Sequence, residues 1–144
     1  MTLAIAQTRD IATCRALRRV VFIDEQGVPE TDEIDDLDDI AVHLLAHVNG
    51  QAVGSARLLT AGTAGKIGRV CVLKHARGQG VGAALTRAAV AHFGAVQGIS
   101  CVKLSAQISA LPFYEKLGFS AYGSVYPDAG IDHRDMQLLL TRPA

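Results

Sequence analysis

The chain has 144 residues, 49% hydrophobic and 19% charged, and its 14 Lys and Arg are matched by 14 Asp and Glu. That length suits one domain, residues 1–144, burying about two-thirds of its unfolded surface, and the composition excludes a disordered chain. A balanced charge with few aromatic residues argues against a nucleic-acid partner. No apolar run approaches the ~18 residues of a membrane span, and no basic segment precedes an apolar leader, so no membrane partner is expected. Cys14, Cys71 and Cys101 are odd in number and widely spaced, pointing to reduced thiols in a cytoplasmic protein.

Thr2 to Ala6 reads as a strand. Thr8 is a plausible N-cap for a helix from Arg9 to about Ile23, with Ile11, Cys14, Leu17, Val20 and Val21 on its inner side. Asp24 to Asp39 then holds nine acidic residues and no basic one. Opened by Gly27 and Pro29, it should be a loop or contain a short helix. From Ile40 to Tyr114 the balance reverses, with seven Lys and Arg and no acid. Together the two segments suit a protein handling a polyanion and a cation at once.

Ala41 to Val48 and Ala52 to Leu59 are strands joined by Asn49-Gly50, a strong hairpin-turn dipeptide. Lys66 to Leu73 is a third strand, apolar on both faces toward its end as a central buried strand requires. A helix follows from Val81, with Leu85, Ala88, Ala89, His92 and Phe93 on one face. Ile99 to Ser105 is a strand. A second helix starts at the Ser109 N-cap, carries Pro112 in its first turn and stops at Gly118. Phe119 to Tyr126 and Asp132 to Leu140 are the last strands. The order describes a mixed α/β sheet with helices on its faces.

Between the third strand and its helix stands Arg77-Gly78-Gln79-Gly80-Val81-Gly82. Alternate glycines bare the backbone, and the first-turn amides of the helix add unsatisfied donors, making a cradle for phosphate. Arg77 adds full positive charge at its mouth. A Walker loop is absent. Gly78-x-Gly80-x-x-Ala83 fits a dinucleotide fingerprint, but the acidic ribose partner about twenty residues on is missing. A glycine-rich turn that merely joins strand to helix is the bland alternative. The third reading is Arg/Gln-x-x-Gly-x-Gly, met by Arg77, Gly80 and Gly82.

That last string resembles the pyrophosphate loop of the GNAT superfamily of acetyl-CoA-dependent N-acetyltransferases. Ala110-Leu111-Pro112-Phe113-Tyr114-Glu115-Lys116-Leu117-Gly118-Phe119 is similar to the family segment Ala-x-x-Phe-Tyr-x-Lys-x-Gly-Phe. The resemblance implies an α/β fold with a mixed, largely antiparallel sheet, splayed central parallel strands and helices on both faces. It implies acetyl-CoA as acyl donor, no metal, and a small-molecule or protein amine as acceptor, with a homodimer left open. Residues Arg77, Gly78, Gln79, Gly80, Val81 and Gly82 would hold the pyrophosphate. Val70, Cys71 and Val72 would offer backbone groups to the pantetheine arm and thioester. Tyr114 would be the general acid for the leaving thiolate. Phe113 is read as core.

Gln107 stands where the superfamily often has Asn, keeping an amide for the cofactor but adding a methylene. Cys71 lacks a His-Asp partner and reads as a small buried hydrophobe. His43 and His47 share a strand face about 13 Å apart, too far to share one metal. The segments Val21-Phe22-x-x-Glu25-Gln26-Gly27-Val28-Pro29, Glu33-x-Asp35-x-x-Asp38 followed by His43, and Gly130-Ile131-x-His133-x-x-Met136 further resemble the small ElaA-like bacterial branch. By that resemblance Glu25, Asp35, Asp38, His43 and His133 surround the acceptor pocket, and any of them is a candidate base or positioning group. Two rivals stay open: a non-catalytic acyl-CoA-sensing or partner-binding module of the same fold, and a nucleotide-binding domain.

Overall fold

The computed structural model describes residues 2–141. Strand β1 (Leu3–Thr8) leads into helix α1 (Ile11–Arg18). The cap is Asp10 rather than Thr8: its Oδ1 accepts the Thr13 N–H at 3.1 Å and its Oδ2 the Thr13 hydroxyl at 2.6 Å. Thr8 stays in the strand and instead accepts the Asp10 N–H at 3.1 Å. Past Arg18 the helix widens into π winding over Arg19–Glu25, with Gln26 N–H donating to the Val21 carbonyl at 3.1 Å. The extra residue per turn rotates the buried face. Val20, expected inside, is therefore 46% exposed while Val21 stays buried.

Gly27 turns the chain at φ +73°, and the acidic stretch holds one helical turn, α2 (Glu30–Glu33), then a 3-10 turn over Asp38–Ile40. Strands β2 (Val42–Val48) and β3 (Gln51–Ala61) join through Asn49 and Gly50, both left-handed as a two-residue hairpin turn requires. Strand β4 (Ala64–Val72) carries Gly65, where a Cβ would lie 2.4 Å from the Phe93 ring. That glycine lets helix α3 (Val81–Gly94) lie close on the sheet. Strand β5 (Cys101–Gln107) is followed by a 3-10 turn and helix α4 (Leu111–Glu115), capped at Ala110 rather than Ser109. Strands β6 (Ser120–Asp128) and β7 (Ile131–Leu139) close the fold.

The seven strands form one sheet in the order β1-β2-β3-β4-β5-β7-β6. Every neighbouring pair is antiparallel except β4 and β5. Alternation on β2 assigns the two faces. Leu44 joins Leu58, Val81, Leu85, Phe93 and Met136 under α3, whereas Leu45 joins Cys14, Leu17, Val21 and Cys71 under α1. The two helices thus cover opposite faces of a mixed, largely antiparallel sheet, as expected for the fold class.

Candidate active site

The site begins where the sheet fails to close. Strands β4 and β5 pair in parallel only from Ala64–Cys101 to Ile67–Leu104. Both continue beyond, β4 to Val72 and β5 to Gln107, without further pairing to each other. A bulge helps drive them apart. Against β3, Ser55 pairs with Cys71 but Arg57 with Gly68, so β4 carries one extra residue there. Arg69, at that bulge, has φ +52°, a conformation costing a non-glycine residue about 1–2 kcal/mol. Its guanidinium offsets that cost by donating to the carbonyls of Asp32 at 3.3 Å and Glu33 at 3.1 Å and to Asp35 Oδ2 at 3.3 Å.

Between the parted strands lies a cavity of about 340 Å³. Phe22, Gln26 and Val28 from the π-wound segment and its turn line one side, and Ile131 and His133 of β7 the other. Val70, Gln107 and Tyr114 also face into it. Tyr114 is wedged edge-on between Phe113 and Phe119, ring centroids 4.9 and 6.0 Å away. Burial pushes its phenol up to about 12. Gln107 donates Nε2 to Gln26 Oε1 at 3.1 Å, linking β5 to the π-wound side.

At the end of β4 the chain makes a 3-10 turn over Lys74–Ala76 and enters the glycine loop. Gly78 and Gly80 have φ +77° and +83°, and a Cβ at either would meet nothing within 4 Å, so the loop is open to a ligand. The α3 ladder starts with Ala84 N–H donating to the Gly80 carbonyl at 3.0 Å. The amides of Val81, Gly82 and Ala83 ahead of it have no intrahelical acceptor, and the dipole makes that end positive. Gln79 is fixed by its Nε2 donating to the His75 carbonyl at 3.4 Å.

Arg77 is engaged differently from the expectation. It donates Nη1 and Nη2 to the two oxygens of Glu25 at 2.6 and 2.7 Å and Nε to the Val72 carbonyl at 3.0 Å. That fork holds the Glu25 carboxyl below its usual range. Glu25, expected near the acceptor, is thus clamped to the glycine loop. Of Val70, Cys71 and Val72, Val70 faces the cavity, while the Cys71 side chain is 3% exposed under α1 with its Sγ 3.4 Å from Ser55 Oγ. Burial raises its thiol, as suits an inert packing residue.

The acidic stretch is largely absorbed by an ionic network that the sequence reading did not foresee. Arg18, only 1% exposed, donates Nε to Glu33 at 2.6 Å and Nη1 and Nη2 to Asp38 at 2.9 and 2.8 Å. Asp38 also accepts from Arg15 at 2.9 Å and Arg57 at 3.2 Å. Arg57 forks onto Asp35 at 2.8 and 3.0 Å. Burial alone would raise Asp38, but the Arg18 and Arg15 guanidiniums hold it far below the carboxylate range. His43 is buried and donates Nε2 to the Asp38 carbonyl at 2.9 Å.

Asp35, Asp38 and His43 therefore do not line the cavity; they fasten the acidic segment to α1, β2 and β3. Of the residues expected around the acceptor, His133 and Glu33 of the acidic motif face the cleft, joined by Asp32 and Asp128, which were not singled out. A signal for Arg18 was present: it occupies the inner stripe Cys14, Leu17, Val21, where a charge demands partners. Among the described residues, no group of three or more His, Cys, Asp or Glu stands where a metal could bind, and no helix is long and apolar enough to cross a membrane.

Comparisons with known proteins agree with this geometry. Residues 22–140 match the family model described as an acetyltransferase (GNAT) domain. The chain is 37% identical over 121 residues to the uncharacterized N-acetyltransferase YjcF of Bacillus subtilis, covering 83% of this chain and 86% of that one. Escherichia coli ElaA superposes with a TM-score of 0.84 at 28% identity, covering 95% of this chain and 99% of that one. An acyl-CoA N-acyltransferase from Pseudomonas aeruginosa gives 0.83 at 31%, with 95% and 98% covered. A sheet parted beside an open glycine loop, matched across most of the chain by such relatives, identifies the protein as an acyltransferase of the GNAT acetyltransferase family.

Proposed function

We propose that the chain moves an acetyl group from acetyl-CoA to a primary amine by direct attack within one ternary complex. The observation that carries this reading is the parted β4–β5 pair, with the open amide cradle at one end and Tyr114 facing the cavity between. The amides of Gly78 to Gly82 would grip the pyrophosphate, with Arg77 adding charge once its fork on Glu25 is exchanged for phosphate. The unpaired stretch of β4 after Ile67 would receive the pantetheine arm as an added strand. Backbone amides there would stabilise the developing oxyanion, worth about 2.7–4 kcal/mol per donor. Gln107 would steady the arm.

The amine nitrogen attacks the thioester carbon, a C–N bond forms, and the C–S bond breaks with its electrons leaving on sulfur. Tyr114 would give its proton to that sulfur. A phenol raised to about 12 by burial holds its proton at neutral pH. Apolar surroundings would raise the thiol of a departing CoA as well, so the phenol remains matched to it as a donor.

The test is a thermal shift against CoA, acetyl-CoA, NAD and ATP, followed by thiol release with a panel of primary amines. CoA and acetyl-CoA should stabilise by about 2.7 kcal/mol at a hundred times Kd, and NAD and ATP should not. Stabilisation by NAD alone, or acetyl-CoA binding without transfer to any amine, would overturn the reading, the second in favour of a sensing module.

A further inference from the structure

We propose that His133 is the general base of the transfer, accepting the acceptor amine's proton at Nε2. This deepens, and rests on, the acetyl-transfer reading above. An alkylamine has a pKa of about 10.4, so it arrives charged and must lose a proton before or as its nitrogen attacks. The groups facing the cavity that could take it are few. Glu33 is 4% exposed, and its Oε1 accepts from Arg18 Nε at 2.6 Å with Arg69 Nε 3.5 Å away, so the carboxylate is tied into the ionic network. Asp32 and Asp128 are exposed at the rim, suited to greeting an ammonium rather than to relaying its proton beside the thioester. Arg69 is a cation, and Tyr114 holds its own proton.

His133 differs from all of these. Its Nδ1 lies 2.7 Å from the Ile131 carbonyl, which can only accept, so Nδ1 carries the hydrogen and the neutral ring keeps its lone pair on Nε2. Among the described residues none hydrogen-bonds Nε2. The ring is also held from the side, stacked on Tyr126 at 6.3 Å between centroids and 25° between planes. Tyr126 is itself fixed, donating its hydroxyl to Asp135 Oδ1 at 2.6 Å and accepting from the Ser105 hydroxyl. The strand register places His133 opposite Gln107, at the end of β5 that parts from β4.

Its charged neighbours are few. Asp135 acts through Tyr126, and Asp128 stands on the same hairpin. The neighbouring Arg134 is turned to the Gly123 carbonyl at 2.9 Å, which leaves Arg69 as the cation sharing the cavity. In the step, one ammonium proton passes to Nε2 and its electron pair forms the C–N bond to the acetyl carbon; as the C–S bond breaks, the nitrogen sheds its second proton, which restores through solvent the one Tyr114 gives to sulfur.

The test compares wild type and His133→Gln on ethylamine and 2,2,2-trifluoroethylamine at pH 8, reading thiol release under saturating acetyl-CoA. Fluorination lowers the ammonium pKa well below the pH of the assay, so the second amine arrives neutral and needs no proton taken from it before it attacks. Ethylamine turnover should fall ~100-fold or more in the variant and trifluoroethylamine turnover less than about tenfold, with the acetyl-CoA thermal shift unchanged. Equal losses on both amines, or none on ethylamine, overturn the base assignment alone. A wild type stabilised by acetyl-CoA that acetylates neither amine nor any other overturns the acetyl-transfer reading and this one with it. Independently of turnover, the long-range spectrum of ¹⁵N-histidine-labelled protein at pH 8 should show His133 as the Nδ1–H tautomer. An Nε2–H tautomer there refutes the proposal.

Discussion

Replacing Arg18 with Met removes the centre of the buried ionic network while roughly keeping volume. Arg18 is 1% exposed and makes three bonds, one to Glu33 and two to Asp38. Without it Asp38 retains Arg15 at 2.9 Å and Arg57 at 3.2 Å, but Glu33 keeps only the Arg69 contact at 3.5 Å. Breaking a buried pair on one side costs about 3–5 kcal/mol, and the surviving partners of Asp38 place this case near the lower end. With a urea slope of about 2 kcal/mol/M, the midpoint should fall by about 1.5 M at pH 7.

The pH dependence supplies the sign. Asp38 is held below its unfolded value of about 3.9, so its contribution is full above that value and is lost as pH falls toward the folded value. Arg18→Met removes the main cause of that depression, so the gap between wild type and variant should stay level from pH 7 to about 4 and narrow as the pH is lowered below that. Urea titrations read by far-UV circular dichroism at several pH values measure both effects. A loss under about 1 kcal/mol at pH 7, or a gap that does not change with pH, would refute the assignment of a buried, charge-compensating role.

Tyr114→Phe should lower kcat by about 10²–10³ with the acetyl-CoA thermal shift kept. Because burial raises the phenol to about 12, the acid form is full across pH 6–9 and the wild-type to variant ratio should be flat there; a ratio collapsing by pH 9 contradicts this. Glu25→Gln frees Arg77 from its fork, so CoA should bind several-fold more tightly by calorimetry; weaker binding would make that pair a support for the loop instead. Gly65→Ala sets a methyl 2.4 Å from the Phe93 ring, and the repacking should lower stability by about 1–3 kcal/mol in urea melts, with little change expected if α3 can slide.

What the sequence made legible was local. Asn49-Gly50 names its own turn, and the apolar pattern of β4 and α3 their burial, because each depends on residues a few positions apart. The parallel, parted strands came from resemblance, and the pairing that ends at Ile67 and Leu104 agrees with it. The ionic network was illegible for the opposite reason. Arg18 meets partners 15 and 20 positions away, and Arg69 one 34 away, so no spacing rule links them. The role of Val20 failed because the π winding after Arg18 shifts the helical face without leaving a mark in the apolar period. His133 could be named from its motif, but its free nitrogen follows only from where the Ile131 carbonyl lies.

The segregation of acids into one stretch and cations into the next therefore has a different meaning from the one it first suggests. Glu25 is spent on Arg77, Glu30 on Arg19, and Glu33, Asp35 and Asp38 on Arg18, Arg57 and Arg69. The complementary charges act first within the chain, pinning the acidic segment across β3 and β4 and holding the bulge that parts β4 from β5. At the cleft itself, Asp32, Asp128 and an Arg18-paired Glu33 are set against Arg69, a far weaker field than nine carboxylates would create. Attraction between charges mainly governs encounter rate, and here little of it remains for that purpose. On the acetyl-transfer reading proposed above, choice among amines would then fall to the shape of the cavity between Phe22, Val28, Val70 and Ile131, where one misplaced methylene costs about 1–3 kcal/mol of discrimination.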